Sequence, residues 1–232
     1  MHALLLAMLL KAATVIVSGD VGTPQPQDLV LVGVGTGVVV AKLDAQHYAV
    51  VTAAHVARYS HPHVAVYGRP HGRFRVEQVI LDPSGQDLAM LVVRSKAPLP
   101  VVALAPREPK TGARLEVVGH PFARTWRVNH ARYAQGTVVP SALLTSLVTR
   151  DTNLWICRGC DRGNSGSGIY DAQGRLDAVI YAAAPLPAYR RADARELQSD
   201  EYNPHIVRQV LAIDVREVRS LLRYTGRAWR ER

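Results

Sequence analysis

The run Gly163-Asn164-Ser165-Gly166-Ser167-Gly168 constrains this chain more than any other feature. Glycines on both sides of a serine clear the space that a nucleophile needs. Gly163 can take backbone angles closed to other residues, and Gly166 lets a substrate backbone approach closely. Such a turn can aim the N–H groups of Gly163 and Ser165 at the oxygen of a carbonyl under attack. Gly, Asn and Ser are also ordinary turn residues. The catalytic reading therefore requires a base and an orienting carboxylate elsewhere in the chain.

Both are present upstream. Tyr48-Ala49-Val50-Val51-Thr52-Ala53-Ala54-His55 reads as a short apolar strand, rich in β-branched residues, that runs into a small-residue turn ending on histidine. Further along, Asp82-Pro83-Ser84-Gly85-Gln86-Asp87 forms a turn signal ahead of the apolar run Leu88 to Val93. Asp87 is thus a charge at the mouth of a buried strand and needs a partner, for which an imidazole N–H is suited. Serine is a poor nucleophile at neutral pH, so His55 is the expected general base. Asp87 would orient His55 and stabilise the imidazolium. The oxyanion would rest on the backbone N–H groups of Gly163 and Ser165.

Thr52-Ala53-Ala54-His55, Asp87-Leu88-Ala89 and Gly163 to Gly168, in this order, resemble the motifs of trypsin-like (chymotrypsin-fold) serine proteases, and within them bacterial HtrA/Deg-type and related trypsin-like peptidases. Gly33 to Val40 resembles the family's glycine-rich first strand, Val117 to Phe122 its Gly-Asn-Pro-Phe turn, and Leu211 to Leu222 its closing strand and helix, so the likeness spans roughly residues 30–223. The resemblance implies an all-β fold of two packed six-stranded antiparallel β-barrels with a short C-terminal helix. The protease domain is expected over 20–224, with barrel 1 at about 28–105, barrel 2 at about 112–214, the helix at about 215–224 and a basic tail over 225–232. Ala105 to Gly112, rich in turn residues, is the expected crossover. His55 and Asp87 would lie on the first barrel, Ser165 on the second, and the active site between them. The activity implied is that of a serine endopeptidase acting on polypeptides without a cofactor. By the same resemblance Gly159, Cys160 and Asp161 form one wall of the primary specificity pocket. Tyr181, Ala182 and Ala183 form the other and pair with the substrate backbone. Gly159 stands where trypsin-specific members place an aspartate, so a small or medium apolar P1 residue is expected. Asn164 replaces the aspartate that zymogens use, and Ser167 replaces a usual glycine. With the last residue at Arg232, no peptide-binding PDZ module is expected.

A chain of 232 residues with near half of them apolar suffices for such a core. At the N-terminus, Ala3 to Leu10 and Ala12 to Val17 flank Lys11 and resemble a signal-peptide core, with a small-residue cleavage pattern at Val17-Ser18-Gly19. Residues 1–19 read either as such a segment, which would make the protein periplasmic or secreted, or as an apolar helix or strand packed on the barrel. The net charge of +9 is carried mostly by arginine, including Arg190, Arg191, Arg195, Arg216, Arg219, Arg223, Arg227, Arg230 and Arg232. This basic surface favours anionic partners, although no nucleic-acid motif accompanies it. Cys157 and Cys160 are expected to be structural, with a disulfide if the protein is exported. His61, His63 and His71 lack the further ligands of a metal site. Two rival functions remain: an inactive protease-fold binding module, and a basic interaction protein that binds nucleic acid or membrane.

Overall fold

Two kinds of strand build the frame. β6 (Ala89–Arg94) and β3 (His47–Thr52) are apolar along almost their whole length, and every residue is buried except Arg94 and the partly covered His47. Strands covered on both faces read as continuous apolar runs. β5 (Arg73–Leu81) alternates instead: Arg73, Arg75, Glu77, Val79 and Leu81 face solvent while Phe74, Val76, Gln78 and Ile80 turn inward. The computed structural model describes residues 2–20, 32–58, 60–65, 73–110, 112–121, 127–133, 152–161, 163–185 and 207–231.

The remaining elements are α1 (His2–Ala13), β1 (Thr14–Asp20), β2 (Val32–Lys42), α2 (Ala54–Ala57), β4 (Ser60–Ala65), β7 (Arg114–Gly119), β8 (Arg127–Tyr133), β9 (Thr152–Arg158), β10 (Gly168–Tyr170), β11 (Leu176–Pro185), β12 (Val207–Asp214) and α3 (Val215–Arg230). β1-β2-β3-β6-β5-β4 form one ring, closed by β1 against β4. β7-β8-β9-β12-β11-β10 form the second, closed by β10 against β7. All these strand pairings are antiparallel, so the fold is the expected pair of six-stranded barrels. Closure pairs the outermost strands of each sheet with one another. In the crossover, Leu176 N–H donates to the Ala103 carbonyl and Ala105 N–H to the Leu176 carbonyl, both at 2.8 Å, which fastens the link to the second barrel.

Two boundaries differ from the sequence reading. Barrel 1 starts at Thr14 rather than near residue 28, because β1 pairs with β2 from Thr14 to Asp20 and buries Val15 and Val17 in the main core. The expected cleavage pattern at Val17-Ser18-Gly19 therefore lies inside a barrel strand. Before it, α1 buries Leu10 and Ala13 and leaves Met8 and Leu9 exposed. Among the described residues, no helix is long and apolar enough to cross a membrane. The second difference is at the C-terminus, where α3 runs to Arg230, so residues 225–230 are helix and not tail. Asp214 caps it by accepting from Arg216 N–H, and Val215, Val218, Leu221 and Thr225 form its buried stripe. Trp229 carries the helix onward: it packs against the core, its Nε1–H donates to Asp44 at 2.9 Å, and its ring lies 4.6 Å from that of His47. His71, Phe122, Arg190, Arg191, Arg195 and Arg232 lie outside the described residues.

Candidate active site

β3 delivers its chain into α2, a single helical turn whose second residue is His55. Ala53, Ala54 and Ala57 are buried beneath it and the imidazole stands exposed. Asp87 reaches this turn from the start of β6, and both of its oxygens are used. Oδ1 accepts from the His55 backbone N–H at 2.8 Å, and Oδ2 lies 2.6 Å from His55 Nδ1. The carboxylate thus sets both the position of the turn and the direction of the ring. Burial works to raise the Asp87 carboxyl, but the hydrogen bonds and charge of His55 outweigh it and hold the group below the usual carboxylate range.

The serine turn comes from the other barrel. Gly163 has φ of 88° and Gly166 of 87°, the left-handed region where glycine carries no steric penalty. A Cβ on Gly166 would lie 1.8 Å from the Thr36 carbonyl oxygen, so this glycine is also needed for close approach. The peptide joining Gly163 to Asn164 is held at both ends: Asn164 N–H donates to the Asp161 carbonyl at 3.0 Å, and the Gly163 carbonyl accepts from Thr36 Oγ1 at 2.8 Å. The peptide after Ser165 is held likewise, with Gly166 N–H on the Ile180 carbonyl at 2.6 Å and the Ser165 carbonyl on Thr36 N–H at 2.8 Å. Among the described residues, the N–H groups of Gly163 and Ser165 donate to nothing. The serine hydroxyl itself makes a long contact of 3.4 Å to the Tyr181 carbonyl. Among the described residues it shares no hydrogen bond with His55.

Ser167, the departure from the family pattern, faces the interior. It is fully buried and its Oγ donates to Asn164 Oδ1 at 3.1 Å. Space for it comes from Gly119, where a Cβ would lie 2.0 Å from Ser167 Oγ. On the pocket side, Cys157 and Cys160 are joined by a disulfide around Gly159 (φ 75°), directly before Asp161, whose carbonyl anchors the serine turn. Opposite, the register between β11 and β12 shifts between Ile180 and Ala182, leaving Tyr181 as the extra residue that turns its carbonyl toward Ser165. β10 ends opposite Val179, so on that side Ala182 and Ala183 have no strand partner among the described residues.

The barrels meet at Gly35, where a Cβ would lie 2.6 Å from the Val56 side chain and 3.0 Å from the Ser165 carbonyl. The turn bearing His55 and the turn bearing Ser165 therefore converge on one glycine. Sequence reasoning missed Thr36 as a site residue. Its signal was in view, a hydroxyl between two glycines in Gly35-Thr36-Gly37, but it read only as part of a glycine-rich strand.

Comparison with solved structures finds the same fold. The Rv3671c protease from M. tuberculosis in its active form matches with TM-score 0.63 and 24% identity, covering 94% of this chain and 82% of that one. Its inactive form matches with TM-score 0.63 and 22% identity, covering 94% and 91%. The serine endoprotease from Yersinia pestis matches with TM-score 0.62 and 17% identity, covering 96% of this chain and 65% of that one. No curated protein matches the chain. Residues 35–179, more than half of the sequence, match the family described as the trypsin-like peptidase domain. The chain belongs to the trypsin-like peptidase family of serine endopeptidases.

Proposed function

We propose that this endopeptidase cleaves polypeptides through Ser165, His55 and Asp87 by way of an acyl-enzyme. The observation that carries this reading is the grip of Asp87 on both the ring and the backbone of His55, which directs Nε2 away from the carboxylate. In this scheme the Ser165 hydroxyl leaves the Tyr181 carbonyl and gives its proton to His55 Nε2 as Oγ bonds to the scissile carbonyl carbon. The oxyanion takes the two uncommitted N–H groups of Gly163 and Ser165. His55 then protonates the departing amine, and water repeats the sequence in reverse to free the acid. Substrate backbone adds along Ala182 and Ala183, with the P1 side chain between that edge and the wall of Gly159, Cys160 and Asp161. A wall of glycine and disulfide suits a small or medium apolar P1 residue.

Reaction with a fluorophosphonate probe tests this directly: labelling should occur in the parent and vanish in Ser165→Ala. Asp87→Asn should keep its fold and lose roughly 10,000-fold in kcat, since the imidazole is then held in the wrong tautomer. A folded parent that neither labels nor cleaves casein would overturn the reading in favour of a binding module.

A second reading concerns partners and rests on α3. Arg216, Arg219, Arg223, Arg227 and Arg230 fall on one arc of about 80° at 3.6 residues per turn. Arg216 is paired with Glu108 and Asp214. The other four have no carboxylate partner among the described residues, although like charges at such spacings weaken a helix. Beside them runs a groove of about 500 Å³ lined by Lys42, Leu43, Leu222, Arg223, Arg227 and Trp229. This arrangement suits an anionic partner held apart from the catalytic turn. Binding to anionic vesicles or DNA that weakens with salt and survives in Ser165→Ala, but is lost in Arg223→Glu/Arg227→Glu, is the expected outcome.

A further inference from the structure

The serine turn of the second barrel is braced by one side chain of the first. Thr36 is fully buried in β2 and stands at the centre of four hydrogen bonds. Its N–H donates to the Ser165 carbonyl (2.8 Å), and its Oγ1 donates to the Gly163 carbonyl (2.8 Å) while accepting from His120 N–H (3.0 Å). Its own carbonyl accepts from Thr52 Oγ1 at 2.7 Å, and Thr52 ends the strand that leads to His55. One residue therefore links the strand behind the base, His120 at the end of β7, and the carbonyls of Gly163 and Ser165.

The consequence follows from peptide planarity. A carbonyl and the N–H on the same peptide point in opposite directions, so fixing one fixes the other. The peptides 163–164 and 165–166 each have their carbonyl on Thr36 and their N–H on a second-barrel carbonyl. The peptide between them carries the Ser165 N–H, and its carbonyl accepts from Ser167 N–H at 2.9 Å. The Ser165 N–H is left without an acceptor among the described residues.

We propose that Thr36 is a positioning residue for peptide cleavage: its hydroxyl holds the Gly163 carbonyl and so keeps the Ser165 turn in the conformation that presents the Ser165 N–H to the oxyanion. This deepens the reading of Ser165 as nucleophile and rests on it. Valine has the shape of threonine without the hydroxyl. Thr36→Val takes the hydroxyl away from the Gly163 carbonyl and from His120 N–H, leaves the 163–164 peptide held only by Asn164 N–H on the Asp161 carbonyl, and keeps the backbone bond to Ser165.

The test is the second-order rate of fluorophosphonate labelling at Ser165, with kcat and KM on labelled casein alongside. Misplacement of reacting groups by about 1 Å costs about 100-fold. Thr36→Val should therefore label and turn over about 100-fold more slowly with KM little changed, while Thr36→Ser should stay within about threefold of the parent. Ser95→Ala removes a hydroxyl bond from a buried residue of the same barrel, Oγ to the Ala97 carbonyl at 2.6 Å, past the end of β6 away from Asp87, and should label at the parent's rate per folded molecule. If Thr36→Val does not fold, as judged by near-UV circular dichroism, Thr36→Ala takes its place. A folded Thr36 variant without the hydroxyl that labels as fast as the parent overturns the proposal alone. Equal slowing in Ser95→Ala also overturns it, because the effect would then be general loosening. A parent that never labels overturns the nucleophile reading, and this one with it.

Discussion

Two aspartates show how position decides what a carboxyl group does. Asp87 has an imidazole and a backbone N–H on its oxygens and stays below the usual carboxylate range. Asp177, on β11, is 4% exposed and sits near Asp171 and Asp214. Burial first, then the charges of those two neighbours, push its carboxyl up to about 7, with Arg175 acting against them. A raised acid binds its proton more tightly in the folded state, so its stabilising effect is complete in acid and is lost as pH rises through about 7. Asp177→Asn should therefore melt at a higher temperature than the parent at pH 8, with the difference shrinking toward pH 5. Equal differences at the two pH values would show that Asp177 is ionised in the folded protein throughout. Ser167 makes a parallel point about size: a serine where glycine is usual is accepted because position 119 is itself glycine.

Among the elements, β1 and β11 depart most from what local pattern suggests. Thr14 to Asp20 carries the alternation of a strand, Val15 and Val17 inward and Ile16 and Ser18 half-covered, yet it directly follows an apolar helix and so also reads as the end of a leader. What separates the two readings is the pair of neighbours, β2 on one side and β4 on the other. Without β1 the first barrel has two unpaired edges and loses Val15 and Val17 from its core. A protein lacking residues 1–19 should therefore fail to give a cooperative melt, and should be recovered as aggregate on size-exclusion chromatography. A cooperative melt close to that of the full chain would mean that the barrel closes without β1. In β11 the decisive feature is a one-residue slip at Tyr181, invisible in the composition of Ala178 to Ala184 because a bulge depends on what the partner strand does.

In the whole molecule, α3 follows the second barrel in sequence and packs against both, meeting β11 and β12 as well as β6, with Val218 and Leu221 in a core cluster drawn from both barrels and Trp229 reaching Asp44. Together with the clamp at Thr36 and the convergence at Gly35, it fastens the barrels at separate points. The proposed mechanism, with a base on one barrel and a nucleophile on the other, needs such fastening. The helix was expected from the family resemblance of Leu211 to Leu222, but its last turn was not. Arg227 and Arg230 read as a basic tail until the packing of Trp229 against the core is seen.

His55, Asp87 and Ser165 were each legible from a few neighbouring residues, because strand ends, turn glycines and displayed side chains are written in local backbone preference. The order of the three motifs also carried the family and the two-barrel frame. Tertiary structure alone decided how they meet. The 127 positions between Thr36 and Gly163 are spanned by one hydrogen bond that no local pattern encodes. The upward shift of Asp177 comes first from its burial and then from the carboxylates that folding brings near it, and β1 becomes a strand only through the partners that close its barrel. Local steric preference acts within a few residues, whereas contact across the cleft depends on closure of the barrels and on how they pack.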